Sequence, residues 1–560
     1  MMLLYAIRSL LRSLTTLRRR MKKAPDYVVL ELEGDYPDIV PPVSNPILRR
    51  LRQQQTSLRD IAHRLRTIRD DERVTGVVLL MRPLSMPGAR LDATRDLLAE
   101  LKDAGKRIEV WTHTLDRPTL YVASSADAIY LLPGGWIQPL GVAREYQYLG
   151  DALDAIGVKG DFVAISPYNS AADPITRSSM SDAVREMVNW LTDSSFQHVL
   201  DAIAEGRGMS PGDVQAGVDA SPLIDTRALE LGVIDGILTQ EEQPQVLQRD
   251  AEEPPRLLAW DAARRVLLPR PLPRRGKYVA VMTIEGVIMD GKSQQPPVDP
   301  PVPVPFVSGG QAGDQSVVRA ARRIAQDDRA AAAVLWVDSR GGSATASESM
   351  RAALAEVAAR KPLVVVMGSI AASGGYWVAT PGQTIIAQPN TITGSIGVIA
   401  GKLAIGGLLD RLRIRRELIT RGENATLFNS DDPFTQEERA QMRAYIQRTY
   451  DLFLERVSAS RAMPVDAVDA VSGGRVWTGK QALENGLVDA LGGLDDGLKK
   501  ARELANLPEN SRVRLVTPGR EPVLPKPQEK SAAWLAQTHQ LLKAINAGLP
   551  LAILPWMEDV

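Results

Sequence analysis

The stretch WVATPGQTIIAQP, residues 377–389, echoes YVASSADAIYLLP, residues 121–133, and this echo decides the fold. The two lie 256 residues apart. Working outward, VTGVVLLM (74–81) matches AAAAVLWV (330–337) at the same offset, and LDAIGVKGDFVAI (153–165) matches LDRLRIRRELITR (409–421). YVVLELEGDY (27–36) echoes YVAVMTIEGV (278–287), and DTRALELGVIDGI (225–237) echoes TGKQALENGLVDAL (478–491), at nearly that spacing. Self-similarity at a fixed offset means two copies of one structural unit. The pattern places a first copy at 25–250 and a second at 277–510. Between them, Pro254, Pro255, Pro269, Pro271 and Pro273 mark a linker over 251–276. Residues 1–24 and 511–560 flank the pair.

Within a copy, short apolar runs such as VAVMTI (279–284), AAVLWV (332–337) and LVVVM (363–367) read as buried strands. Helical stretches, Ser316 to Asp327 and Ala346 to Arg360, fall between them. This alternation predicts an α/β fold with largely parallel sheets and helices outside.

Composition narrows the chemistry. A chain of 560 residues, 44% hydrophobic and 24% charged, holds more than one globular domain. Lys plus Arg (67) balance Asp plus Glu (67), so charge offers no argument for a nucleic-acid partner. Cysteine is absent, which excludes disulfides, a thiol nucleophile and thiolate metal sites. His63, His113, His198 and His539 form no ligand-spaced pair, so neither a metal nor a cofactor is expected.

The second copy carries the candidate chemistry. Strand AAVLWV runs into DSRGGSATASES (338–349), and strand LVVVM runs into GSIAASGGYW (368–377). Glycines directly after a buried strand leave backbone N–H groups free and let a ligand approach closely. Ser373 sits between small residues and two glycines, where the chain can turn sharply. Gly374 N–H, just after it, can join the Gly341–Gly342 pair as an oxyanion hole. NTITGSIGV (390–398) follows. One Gly–Ser run is a weak signal; three in strand-to-loop order are far more specific.

RGGSATASE, AASGGYWVATP, NTITGSIGV and RVWTGKQALENGLVD resemble the signature runs of the signal peptide peptidase (protease IV) family, and the two-copy layout resembles its long form. The resemblance covers most of residues 25–510. It implies two tandem crotonase/Clp-protease-like domains and a serine peptidase using a Ser–Lys dyad. The implied substrates are peptides, signal-peptide remnants or other apolar peptides. Ser373 is then the nucleophile, Gly342 and Gly374 supply oxyanion amides, and Ser395 orients the lysine. The resemblance further implies a homo-oligomer, a tetramer, at the bacterial cell membrane.

One position departs from that pattern. Where the long form has its lysine, within a run resembling G-K-Y-K-S-A, this chain reads Ser166, Pro167, Tyr168, Asn169, Ser170, Ala171. The position used by the short form is Ala425 here. An amide can orient a group or a water but has no useful basicity. Arg421 stays protonated. Lys402 reads as structural, and Lys159 lies ten residues from the empty position. Arg117 aligns with Ser373 and Pro118 with Gly374, so the first copy has no nucleophile; Asp173 reads as a turn residue before Pro174. The alternative to a peptidase is a catalytically impaired pseudopeptidase that binds peptides or scaffolds an assembly.

Three further segments carry expectations. Leu3, Leu4, Ile7, Leu10, Leu11, Leu14 and Leu17 recur at helical spacing beside Arg18, Arg19 and Arg20. Such a basic amphipathic helix suits a membrane surface or a docking face on protein. It is too short and too interrupted by charge to span, which leaves membrane association without a transmembrane helix, or a cytoplasmic location. Residues 293–310 are proline-rich and read as an extended surface loop. The tail from Ala544, AINAGLPLAILPWMEDV, is apolar but broken by Gly548, Pro550 and Pro555. It reads as a docking segment for a neighbouring subunit or a membrane surface.

Overall fold

The structure, a computed structural model, describes residues 12–40, 55–248, 253–295, 310–519, 521–522 and 551–553. By packing, the chain forms two compact units: residues 1–143 with 195–274, and residues 144–194 with 275–560. Each contains mixed α/β structure built on a mostly parallel sheet, the tandem crotonase-type architecture.

In the first unit the sheet order is Leu223–Ile224, Ala128–Ile137, Arg107–Leu115, Gly76–Leu84, Tyr27–Gly34, Leu257–Ala259. The four long central strands are parallel. Their alternating Val, Leu and Ile side chains enter one core with Leu58, Ile61, Leu65 and Ile68 of the helix Leu58–Arg69. That helix starts cleanly because Ser57 and Asp60 form a reciprocal capping box. Leu257–Ala259, within the proline-rich connector, adds an edge strand against Tyr27–Gly34.

The second unit repeats this order. Val476–Thr478, Ile392–Gly394, Leu363–Ala372, Ala330–Ser339, Arg274–Glu285 and Ser511–Leu515 lie side by side. The first strand of each copy neighbours the second, the second the third, and a short antiparallel strand closes the far edge. A second sheet of the same unit holds Val287–Met289, Gln311–Gly313, Gly341–Ser343, Leu551–Ile553, Ile399–Ala404 and Lys159–Ala164.

The division by packing differs from the division by repeat. Residues 144–194 belong by sequence to the first copy but pack with the second unit. The link is a six-residue antiparallel ladder that runs from Ile399 opposite Ala164 to Ala404 opposite Lys159. Val184, Met187, Val188 and Leu191 then pack on Ala372, Ile392 and Val476.

Among the described residues no helix is long and apolar enough to cross a membrane. Residues 1–11, most of the proline-rich loop (296–309) and most of the tail lie outside the described residues.

Sheet closeness makes one glycine of the first unit irreplaceable. A Cβ on Gly76 would lie 2.1 Å from the Arg107 carbonyl oxygen and 3.0 Å from the Tyr27 ring. Gly141 has open space around it. Gly76→Ala will therefore lower stability by roughly 1–3 kcal/mol in urea unfolding, while Gly141→Ala stays within about 0.5 kcal/mol of the parent.

Candidate active site

Ser373 ends the central strand Leu363–Ala372 and begins the helix Gly374–Ala379. The turn puts it at φ 55°, ψ −116°, a region that disfavours any residue with a Cβ. Packing imposes that geometry. All six residues of the following helix are buried. Trp377 stacks on Phe453 at 4.2 Å, and its Nε1 donates to Glu348 at 2.9 Å. Tyr376 donates its hydroxyl to the Leu487 carbonyl at 2.7 Å. The Ser373 N–H donates to the Gly394 carbonyl at 2.8 Å, which ties the turn to NTITGSIGV.

Glu348 is the anchor beneath this helix. Arg351 and Arg456 also donate to it, at 2.6 and 2.8 Å. Burial pushes its carboxyl up, but the hydrogen bonds from Arg351, Trp377 and Arg456 outweigh burial and hold it below the usual carboxylate range.

The glycine amides meet Ser373 from the neighbouring loop. Gly341 N–H is engaged by Ser339 Oγ at 3.1 Å. A Cβ on Gly374 would stand 3.2 Å from Gly342 N and 2.6 Å from Ser347 Oγ, so Gly374 and Gly342 are packed backbone against backbone. Gly374 N–H is the first amide of its helix and has no intrahelical acceptor. Beside these amides, Leu551–Ile553 of the tail lies antiparallel to Gly341–Ser343, with Ala552 opposite Gly342, and Leu551 also pairs with Ile399.

Asn169 arrives through the ladder described above. After Ala164 the chain turns, and Ser166 Oγ donates to the Gly473 carbonyl. Asn169 N–H donates to the Ser166 carbonyl at 3.1 Å. Two glycines make room for it. A Cβ on Gly397 would lie 2.8 Å from Asn169 Nδ2, and one on Gly474 would lie 2.6 Å from its Cα. Tyr168 is clamped by Arg475 over its ring at 4.2 Å and by a 2.7 Å hydrogen bond to Glu186. Trp190 stacks on Trp477 at 4.9 Å and donates to the Val476 carbonyl at 2.9 Å.

Asn169 Nδ2, Ser373 Oγ, Ser395 Oγ and Ser170 Oγ are all buried, and none has a hydrogen-bond partner among the described residues. Ser395, like Ser373, has positive φ, 48°. Its N–H donates to the Arg475 carbonyl at 2.6 Å.

The other lysines are placed elsewhere. Lys402 is buried on Ile399–Ala404, donates to the Leu427 carbonyl at 3.1 Å and lies 4.4 Å from the Phe434 ring centre. Burial draws it below the ordinary lysine range. Lys159 is exposed beside Asp154 at 3.6 Å. Ala425 and Arg421 are exposed. In the first copy Arg117 opens an ordinary helix capped by Asp116, whose carboxylate accepts from Thr119 N–H at 2.8 Å. Asp173 opens the short helix Asp173–Thr176. Among the described residues no group of three His, Asp or Glu is placed to hold a metal. Sequence reading passed over Glu348, Gly397, Gly474, Trp190 and Trp477. For Gly474 a signal existed, the glycine pair that leads into RVWTGKQALENGLVD.

This fold and this serine-centred turn place the chain among the crotonase-type serine hydrolases. The chain belongs to peptidase family S49, whose profile it matches over residues 100–252 and 355–508, more than half its length. It is 31% identical over 473 residues to "Protease 4" of Salmonella typhi, covering 81% of this chain and 73% of that protein. It is 28% identical to "Serine protease SPPA, chloroplastic" of Arabidopsis thaliana, covering 80% of this chain and 65% of that protein. "Protease 4" of Haemophilus influenzae is also 28% identical, over 477 residues.

Two outcomes check the site. Ser373→Gly and Ser373→Ala both remove the hydroxyl, but only glycine relieves the backbone. In urea unfolding the glycine variant will be more stable than the alanine variant by about 1 kcal/mol. Glu348 is depressed in the folded state relative to an unfolded value of about 4.3. Its contribution is therefore present above that pH and lost as pH falls through the folded value. Glu348→Gln will lower stability at neutral pH and flatten the acid limb of the stability profile, read by thermal unfolding from pH 7 to pH 3.

Proposed function

We propose that this chain is a serine endopeptidase acting on extended apolar peptides, with Ser373 as nucleophile and Gly342 and Gly374 amides receiving the carbonyl oxygen. The observation that carries this reading is the unpartnered Ser373 hydroxyl, buried in a strained turn whose next residue, Gly374, packs on the Gly342 amide. The seated strand Leu551–Ile553 supports the substrate geometry, because the space beside Gly341–Ser343 accepts extended backbone. Backbone pairing of that kind binds a peptide regardless of sequence, and neighbouring pockets choose side chains.

Attack by Ser373 Oγ on a peptide carbonyl forms a tetrahedral oxyanion, stabilised by the two amides. The hydroxyl proton must leave at the same time, and Asn169 has no basicity with which to take it. With no side-chain base at residue 169, the proton passes to solvent and its transfer is slow. On this reading the chain is a peptidase with an intact nucleophile and oxyanion hole and no side-chain base.

The same reading includes a homo-oligomer working at a membrane surface. Its support is the family resemblance and the described helix over residues 12–20, which exposes Leu14 and Leu17 beside Arg18 and Arg20.

Asn169→Lys tests the chemistry. A lysine in this dry site loses protonation more easily, so its neutral amine can accept the Ser373 proton. Cleavage of a fluorogenic apolar peptide will rise by about 10²–10⁴-fold. The gain will disappear in Asn169→Lys combined with Ser373→Ala. A fluorophosphonate probe will label the parent slowly and Ser373→Ala not at all. Absence of labelling in every Ser373-containing form would refute Ser373 as nucleophile.

A further inference from the structure

The helix over residues 12–20 is docked on the first unit by its basic side chains. Arg12 and Arg19, seven residues apart and so on one face, are half-buried. Both donate to the proline-rich connector, Arg12 to the Arg270 carbonyl and Arg19 to the Leu267 carbonyl at 2.7 Å. Arg73 secures the same junction, donating to the Arg19 carbonyl at 2.9 Å and the Val266 carbonyl at 3.0 Å. Leu14 and Leu17 remain 55% and 61% exposed, and Met21, just past the helix, 77%. A helix docked only for stability would bury its leucines and leave its arginines in water.

The docking encloses a cleft of about 470 Å³ between this helix, Leu58–Arg69 and the connector. That volume lies within the roughly 300–1,000 Å³ of small-ligand sites. Trp260, Leu268 and Pro269 supply its apolar surface. Its charge is one-sided. Five arginines line it, Arg12, Arg19, Arg64, Arg264 and Arg270, against the single carboxylate of Asp60. Asp60 is already engaged by the cap of its own helix, accepting from Ser57 N–H at 3.0 Å and Ser57 Oγ at 2.6 Å.

Two of the arginines are neutralised. Arg264 pairs with Asp261 at 3.1 Å and Arg270 with Asp70 at 2.9 Å. Arg12, Arg19 and Arg64 have no carboxylate partner among the described residues. Arg12 Nε is buried and has no hydrogen-bond partner among them either. Arg64 lies 5.8 Å from the centre of the Trp260 ring, which positions its guanidinium without engaging its N–H donors. Three unneutralised guanidinium groups lining one cleft repel one another, and a multidentate anion relieves them. A carboxylate has two oxygens to offer three forks, whereas a phosphate has more.

We infer that this cleft binds the phosphate group of an anionic ligand through Arg12, Arg19 and Arg64. The exposed leucines of the same helix favour a bilayer lipid over a free phosphate as its source. The inference deepens the membrane part of the reading above and does not depend on the chemistry at Ser373.

The test uses the full chain and two soluble probes, inorganic phosphate and dihexanoylphosphatidylglycerol below its micelle concentration, in titration calorimetry. Flotation with phosphatidylcholine vesicles, with and without phosphatidylglycerol, forms a third arm. The short-chain lipid will bind the parent, and Arg64→Gln will weaken it about tenfold or more. Arg64→Lys, which keeps the charge but not the fork, will lie between the two. Arg18→Gln, at an exposed arginine of the same helix outside the cleft, will bind as the parent does. The parent will float with the phosphatidylglycerol vesicles only. Binding of inorganic phosphate without the short-chain lipid supports the cleft and assigns it a soluble phosphate. Soluble binding that Arg64→Gln weakens, with no flotation, upholds the cleft and overturns the membrane reading. Failure of both soluble probes to bind, or equal weakening by Arg64→Gln and Arg18→Gln, overturns the cleft. Flotation in that case leaves the membrane reading standing.

Discussion

Six backbone pairs, from Ile399–Ala164 to Ala404–Lys159, hold the candidate site together. They are antiparallel, whereas the central strands of the main sheet are parallel. A parallel neighbour requires a long crossover, but an antiparallel one needs only an edge and a strand of suitable length. The ladder can therefore be made by a segment from the other repeat. Everything downstream of Ala164 follows from it. Ser166 reaches Gly473, Asn169 sits against Gly397 and Gly474, and Trp190 lies on Trp477. A register slip of one residue would reverse which side chains face the core and carry Asn169 away.

The repeat and the strand–helix alternation were legible because they rest on hydrophobic periodicity. VAVMTI, AAVLWV and LVVVM all fall inside the strands Arg274–Glu285, Ala330–Ser339 and Leu363–Ala372. The order of the small motifs was legible too, since glycines after strands have a backbone reason to be there. The exchange of residues 144–194 was not. GDFVAI and RELITR align in sequence, yet the first becomes the strand Lys159–Ala164 and the second stays unpaired. Pairing is decided by what lies opposite, and a sequence alignment does not carry that information. The role of Ser339 was hidden for a similar reason. Its hydroxyl occupies Gly341 N–H while donating to the Gly286 carbonyl at 2.6 Å, and both partners are set by the fold.

Strain and desolvation gather at one place in the second unit. Ser373 and Ser395, 22 residues apart in sequence, both adopt positive φ. Their hydroxyls, with Asn169 Nδ2 and Ser170 Oγ, are buried without partners among the described residues. Each such group costs about 1–3 kcal/mol in an interior. A turn of this kind also costs about 1–3 kcal/mol. The surrounding packing bears the cost, through Trp377 on Phe453, Tyr376 on Leu487 and the three donors on Glu348. The first copy offers the comparison. At the position of Ser373 it has Arg117 at the start of a capped helix with ordinary backbone, and the locus carries no such strain.

That contrast bears on the proposed reading, in which Asn169 stands where a base is needed. Had the second site kept only a structural task, the relaxed solution of the first copy would satisfy the same strand-to-helix turn at lower cost. Instead the turn at Ser373 keeps a hydroxyl in a conformation that packing must enforce, beside an amide with no helical acceptor. On the proposed reading, Asn169 can orient a group or a water but cannot take a proton. On that reading the defect is confined to proton transfer. The position of Ser373, the Gly374 amide and the backbone groove depend on Glu348, Gly374 and Gly341–Ser343, and none of these requires a base at residue 169 to take its shape.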